Sequence, residues 1–267
     1  MRVTAQARRE AIERRVTRDG EVDFATLTHE FDVSEMTIRR DIEALEEKGV
    51  LRRVRGGAIA FRQQPADSGL ASRDIEAAEK AHIADVAVTL LQPNETVLID
   101  SGSTALAVAK ALRGRDLGLT IVTPSILVAV ELADDPGTTV ILTGGRVKPG
   151  ELSLVGDEAA AVLSLYNCDT YIMGAAGLDA AHGVTEYQRD SGFLKRAALP
   201  VARRTVVVAD SSKLGEVELL RVAALNVLSA IVTDGPPDDP TLVAAREAGV
   251  DVVLAAPPGR ESATGRK

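Results

Sequence analysis

Tryptophan is absent from this chain, and the other aromatics amount to four phenylalanines and three tyrosines. The core must therefore be aliphatic, built from Val, Leu, Ile and Ala, a composition that suits a buried parallel sheet flanked by helices. Cysteine occurs once, at Cys168, which excludes a disulfide framework and fits a reducing cytoplasm. His29, His82 and His182 are scattered, and with one cysteine they do not match metal-ligand spacing. No metal and no cofactor is expected. A stretch of about 18 apolar residues is also missing, so no membrane span is expected. The opening MRVTAQARRE lacks the apolar segment of a secretory signal, which again fits a cytoplasmic protein.

What is present is an ample apolar content, 45% of 267 residues, enough for one large domain or two unequal ones. Arg outnumbers Lys by 24 to 7 without one cluster accounting for the excess. The net charge of -8 is unevenly placed. Residues 1–60 carry 12 basic and 12 acidic side chains, so the whole excess of acid lies beyond them. A neutral module with locally clustered arginines, tied to an acidic body, can bind a polyanion while the body stays unattractive to it.

Within those sixty residues, periodicity predicts helices over 5–19 and 24–31, the second presenting Phe24, Leu27 and Phe31 on one face. After the link DVS, Ser34 is a good N-cap for a third helix. On that helix Ile38, Ile42 and Leu45 form the buried stripe. Met36, Arg40 and Glu43 lie opposite, flanked by Thr37 and Arg39. One buried side and a short mixed polar face near the N-terminal half is what a major-groove recognition helix needs. Arg can bond guanine O6 and N7 together, and Thr can touch a thymine methyl or a phosphate. Residues 51–54 alternate into a strand, and Gly56 and Gly57 turn it into a hairpin that carries Arg52, Arg53 and Arg55. A plainer reading of the same residues also stands: Arg39 is at helical spacing from Glu35 and Glu43 and can form an ordinary surface ion pair.

The segment VDFATLTHEFDVSEMTIRRDIEALEEKGVLRRVRGGA resembles the N-terminal winged helix-turn-helix of the DeoR family of bacterial transcriptional regulators. The resemblance implies that residues 26–45 are the helix-turn-helix proper. It makes Thr37, Arg39 and Arg40 the foremost contacts to double-stranded operator DNA, joined by Ser34, Met36, Arg53 and Arg55. The family usually has Gly where this chain has Asp32, and Asp tolerates a left-handed backbone better than most residues.

Residues 62–74, polar with Pro and Gly, read as a linker between a DNA-binding domain (1–61) and a second domain (75–256). Residues 257–267 read as a disordered tail. After a helix over 75–91, apolar strands at 96–100, 119–123, 138–143, 170–174, 205–210, 229–233 and 250–255 alternate with helices at about 103–112, 125–133, 156–165, 190–199 and 238–248. That alternation predicts an α/β domain with a largely parallel sheet, in which small ligands bind at the carboxyl ends of strands.

Those ends are where the polar and small residues gather. TVLID runs into SGST, so Ser101, Gly102, Ser103 and Thr104 lie at a helix start behind Asp100. Backbone N–H groups, a positive dipole end and a glycine together make a phosphate-sized cradle, without the spacing of a Walker loop. Asp210, Ser211, Ser212 and Lys213 follow another strand, and Gly144 with Gly145 and Gly174 with Gly177 follow two more. Lys195 lies on a helix after YQRDSG. Lys195 and Lys213 are expected to supply fixed positive charge. A single SGST is as readily a capped tight turn, but four such loops after strands of one sheet favour a site. Asp100, Asp210 and Lys213 also admit an acid–base group, and hence a sugar-phosphate isomerase-like or transferase-like enzyme carrying a DNA-binding domain.

DSGST, TPS (with Ser125), TGG, GAAGLDAAHGVT, FLKRA and ADSSKLG stand in the order of the DeoR C-terminal sensor domain, which this half resembles. That fold is related to ribose-phosphate isomerases and CoA transferases. The resemblance implies a repressor of a carbohydrate or polyol operon, a phosphorylated sugar or polyol as effector with its phosphate on residues 101–104, and a homo-oligomer, dimer or tetramer. Family members often carry glutamates shortly before the FLKRA lysine. Here Asp190 is read as the only acid in that stretch, which suggests an atypical ligand.

Overall fold

The computed structural model describes residues 5–19, 21–47, 51–54, 57–60 and 77–255. The chain divides into two compact units, residues 1–66 and 67–267. Arg55, Gly56, the linker at 62–74 and the tail at 257–267 lie outside the described residues, as do the side chains of Arg52 and Arg53.

The first unit runs α1 (Ala5–Asp19), β1 (Glu21–Asp23), α2 (Phe24–Phe31), α3 (Glu35–Glu47), β2 (Leu51–Val54) and β3 (Gly57–Ala60). Its core is Ile12 and Val16 of α1, Phe24 and Leu27 of α2, Ile38, Ile42 and Leu45 of α3, and Leu51 and Ala58 of the hairpin. Each buried aliphatic side chain contributes about 1.5–3 kcal/mol. α2 starts on Asp23, whose carboxylate accepts from Thr26 N–H at 2.8 Å. It ends at Asp32, which takes the left-handed conformation, φ 50 and ψ 52, and so turns the chain into α3. Ser34 caps α3: its hydroxyl accepts from Thr37 N–H at 3.3 Å and meets the Thr37 hydroxyl at 2.9 Å. The hairpin expected from 51–54 is present, but it is part of a three-stranded sheet in the order β1-β3-β2. The three-residue β1 is too short to show an alternation.

The second unit runs α4 (Ala77–Val88), β4 (Thr96–Ile99), α5 (Ser103–Leu112), β5 (Leu119–Thr123), α6 (Ile126–Leu132), β6 (Thr138–Leu142), β7 (Arg146–Lys148), β8 (Ser153–Val155), α7 (Asp157–Leu163), β9 (Cys168–Gly174), β10 (Gly177–Asp179), β11 (Gly183–Glu186), α8 (Arg189–Ala198), β12 (Ala202–Val208), β13 (Leu220–Ala223), β14 (Ala230–Thr233), α9 (Pro240–Glu247) and β15 (Asp251–Leu254). Seven strands form one sheet in the order β15-β14-β12-β9-β4-β5-β6, and every pairing in it is parallel.

Alternation along these β-branched strands builds a core on each face. Val97, Ile99, Ile121, Ile172, Val206, Val208 and Val232 meet residues of α4, α5 and α6. Leu98, Val122, Tyr171, Met173, Val207 and Ile231 meet α7, α8 and α9. The chain leaves β4 towards β5 and β6, then returns to β9 on the other side of β4 and continues outward. β4 and β9 thus flank the point where strand order reverses, the usual place for a ligand crevice in an open α/β sheet. Two additions were not expected from the sequence: the hairpin β7–β8 and the antiparallel sheet β10-β11-β13. Among the described residues no helix is long and apolar enough to cross a membrane.

Candidate nucleic-acid interface and effector site

α3 presents the face that its sequence implied. Ile38, Ile42 and Leu45 are buried, Met36 is 60% exposed, and Arg40 and Glu43 are exposed. Arg39 is the exception. Its Nε and Nη2 both donate to Glu35 Oε1, at 2.9 and 2.7 Å, and its guanidinium lies 4.7 Å over the Phe24 ring. The i,i+4 pair with Glu35 is therefore formed. α3 is fixed to α1 through Asp41, which accepts from Arg8 Nε at 2.5 Å and Arg9 Nε at 2.9 Å. Asp41 and Arg8 are both buried.

In the second unit the residues at 100–104 follow β4 and start α5. Gly102 sits at φ 112, a backbone that side chains rarely adopt, and has no side chain to cap the helix. α6 differs: Ser125 caps it by accepting from Val128 N–H at 3.3 Å. A side chain at Gly102 would meet nothing within 4 Å, so the space in front of this N-cap is open. Ser125 is buried at the end of β5, and Gly144 and Gly145 lead from β6 into β7. A cleft of about 300 Å³ between α4 and α5 is lined by Lys80, Asp85, Ser103, Leu106 and Lys110.

Asp100 is buried at the β4–β9 reversal. Its Oδ1 accepts from Ser101 N–H at 2.8 Å and its Oδ2 from Gly174 N–H at 3.1 Å. Lys195 reaches it from α8 at 3.3 Å, while donating to Glu186 Oε2 at 2.7 Å and the Gly174 carbonyl at 2.8 Å. Glu186 Oε1 accepts from Tyr187 and Gln188 N–H. These three charges settle one another. Burial pushes the Asp100 carboxyl upward, more than Lys195 lowers it. Burial also pushes Glu186 upward, but the Lys195 charge and hydrogen bond, with the Gln188 N–H and the Lys148 charge, together outweigh that and hold it below the usual range. Burial lowers the Lys195 ammonium, and Asp100 and Glu186 more than reverse it. Lys195 is thus an ammonium already balanced by two carboxyls, where the sequence suggested free positive charge for an anion.

Glu186 was missed, and it overturns the expectation that Asp190 is the acid near this lysine. Asp190 is exposed and pairs instead with Arg146 at 2.8 Å. The hairpin adds Lys148, which contacts Glu151 at 2.8 Å and the Ser191 hydroxyl at 3.0 Å, while Gln188 donates to Glu151 at 2.6 Å. Asp210 is buried after β12, the strand beside β9. Its Oδ1 accepts from Ser212 N–H at 3.1 Å and from the Ser212 hydroxyl, and its Oδ2 has no hydrogen-bond partner among the described residues. Ser211 N–H donates to Asp234 at 2.6 Å, and Lys213 ends the same turn. Gly177 stands apart from this group. It opens β10, where a side chain would come within 2.4 Å of the Glu216 carbonyl, so close backbone packing accounts for it.

A helix-turn-helix unit joined to an α/β domain whose strand ends gather glycines, serines and buried carboxyls defines a class: DNA-binding regulators with a sensor domain. Residues 8–64 match the DeoR-like helix-turn-helix domain, and residues 75–235 match the DeoR C-terminal sensor domain. The HTH-type transcriptional regulator GolR of Listeria innocua is 32% identical over 89% of this chain and 93% of its own length. The glycerol-3-phosphate regulon repressor of Escherichia coli is 29% identical over 83% of this chain and 88% of its own. Among solved structures, ribose 5-phosphate isomerase A from Methanocaldococcus jannaschii aligns with 52% of this chain and 55% of its own, at 16% identity and a TM-score of 0.38. The chain belongs to the DeoR family of transcriptional regulators: it is a DNA-binding regulator, not an enzyme.

Proposed function

We propose that the protein represses a carbohydrate or polyol catabolic operon and is released from its operator by a phosphorylated sugar or polyol. The observation that carries this reading is the open glycine N-cap of α5 beside buried carboxyls at the β4–β9 reversal. A helix start, with its positive dipole end and a glycine at the N-cap, suits a phosphate, so residues 101–104 hold that end of the effector, with Ser125, Gly144 and Gly145 on neighbouring loops. Carboxylate oxygens accept from hydroxyls, so Asp100 and Asp210 suit the other end, with Gly174, Ser211, Ser212 and Lys213 around them. Lys195 sets the position of Asp100 rather than meeting the phosphate. A relative named for the glycerol-3-phosphate regulon supports a phosphorylated polyol in this role.

Met36, Thr37 and Arg40 form the face of α3 offered to the duplex, with the cap Ser34 and Arg39 beside it and with Arg53 and Arg55 of the hairpin as further contacts. The protein acts as a dimer or tetramer, because paired helix-turn-helix units at fixed spacing multiply specificity. The test begins with a melting screen against phosphorylated sugars and polyols, since a ligand raises stability by mass action. The stabilising compound is then added to the protein–operator complex. Ser103→Asp places a negative charge in the cradle. It is expected to abolish both the thermal shift and the release while leaving operator affinity within about twofold. Release that persists in Ser103→Asp places the effector elsewhere.

A further inference from the structure

Arg39 and Arg40 are neighbours in sequence, but the structure holds their side chains in different ways. Arg40 lies on the outward line of α3 with Met36, is exposed, and has no hydrogen bond or ion pair with any described residue. Arg39 stands about 100° round the helix from it. There it is half-buried, doubly bonded to Glu35 Oε1 and stacked on Phe24. Phe24 is the first residue of α2. The Arg39 charge is therefore pinned beside the start of α2, off the outward face. Glu35 occupies the Nε edge of the fork and Phe24 covers one face, so a swing of the guanidinium to follow a base edge has to give up both contacts.

In a helix-turn-helix the second helix enters the major groove while the first crosses the sugar–phosphate backbone. A cation fixed against the start of the crossing helix meets phosphate. A free fork on the outward line of the second helix meets bases. Resting on the reading that α3 enters the groove, we infer that Arg39 is a phosphate anchor set in place by Glu35 and Phe24, and that Arg40 beside Met36 carries the base reading. The two arginines then do different work. Phosphate contacts fix register and contribute equally on every sequence, whereas base contacts discriminate between sequences.

The experiment uses the full-length protein. A duplex enriched from a random library by wild type is compared with its single-base-pair variants and with an unrelated duplex, each across a salt series. Arg39→Ala is expected to weaken binding by the same factor on every duplex and to leave the order of preference among variants unchanged. One phosphate contact changes the slope of log K against log salt by about 0.9. A fourfold rise in salt therefore costs Arg39→Ala about 3.5-fold less affinity than wild type. Arg39→Lys keeps a charge without the planar fork, and is expected to restore the wild-type slope. Arg40→Ala is expected to flatten the preference at one base pair per half-site, at least tenfold, with little effect on the unrelated duplex. Glu35→Gln removes an acid from the anchor and is expected to tighten binding on all duplexes alike. The inference is overturned if Arg39→Ala or Glu35→Gln changes the preference at a particular base pair, or if Arg39→Lys keeps the alanine slope. A wild-type protein that enriches no sequence at all removes the DNA reading beneath the inference, a result that these variants do not mimic.

Discussion

Lys195 shows what a single residue can hide. It is buried with Asp100 and Glu186, and the three are stable together because one ammonium faces two carboxyls and the backbone N–H groups of Ser101, Gly174, Tyr187 and Gln188 satisfy the carboxyl oxygens. Removing one partner from a buried charge cluster costs about 3–5 kcal/mol, because the others are left uncompensated. Lys195→Met is expected to lose that much in urea denaturation, and Glu186→Gln less, because the amide keeps part of the bonding. The pH dependence follows from the signs. Glu186 is held below its ordinary value of 4.5 in the folded state, so its contribution is complete above 4.5 and is lost as the pH falls through the folded value. The stability gap between wild type and Glu186→Gln should therefore be widest at neutral pH and close on acidification; a gap independent of pH would mean that Glu186 is not held as the ion. Lys195 is raised above 10.5, so its contribution is complete below that pH and is lost only at still higher values. Asp100, Lys195 and the serines after β4 and β12 were legible in the sequence because each follows a strand or lies in a recognisable run. Glu186 was not. It stands nine residues before its lysine, across a strand end and a loop, a spacing that no helix or strand period connects.

At the scale of elements, the long periodic segments were read closely: α1, α2 and α5 have the bounds that periodicity gave, and the seven strands of the parallel sheet fall within a few residues of expectation. The inner strands stand out as near-continuous apolar runs because both of their faces are buried. β1, β7, β8 and β10 have three residues each, and β11 and β13 have four, mixed with Gly and charged residues. β7–β8 and β10–β11 are hairpins too short to show an alternation, and β1 and β13 pair with the distant β3 and β11, so no local pattern announces them. The polar bond between α1 and α3 was equally invisible. Arg8 and Arg9 are more than thirty residues from Asp41, yet together they fix the angle at which α3 leaves the core. Asp41→Ala would strand the buried Arg8. It is expected to destabilise the first unit by about 3 kcal/mol, with the half-exposed Arg9 contributing little because solvent screens it. Differential scanning calorimetry on the full chain checks this. Loss of stability should be accompanied by weaker binding on every duplex alike, because the helix that reads the groove loses its brace. Weakened binding with the melting profile unchanged would assign Asp41 to the DNA surface instead.

For the whole molecule, the division of charge is a functional statement. The first sixty residues are neutral overall and the remainder carries the entire net charge of -8, so attraction to DNA must come from local arginines and not from the body. A regulator built this way needs the sensor to change operator affinity through a difference in free energy between two states, and such coupling is reciprocal. If the compound found in the melting screen weakens operator binding by some factor between about 5 and 150, then saturating operator must weaken binding of that compound by the same factor. Titration calorimetry of the compound against the free protein and against the protein–operator complex measures one side of this cycle, and operator titrations with and without the compound measure the other. Equal factors above one mean that compound and operator are coupled in the same molecule. A compound that binds with the same affinity whether or not operator is present does not regulate through that coupling, however tightly it binds, and the effector would have to be sought among compounds of other chemistry.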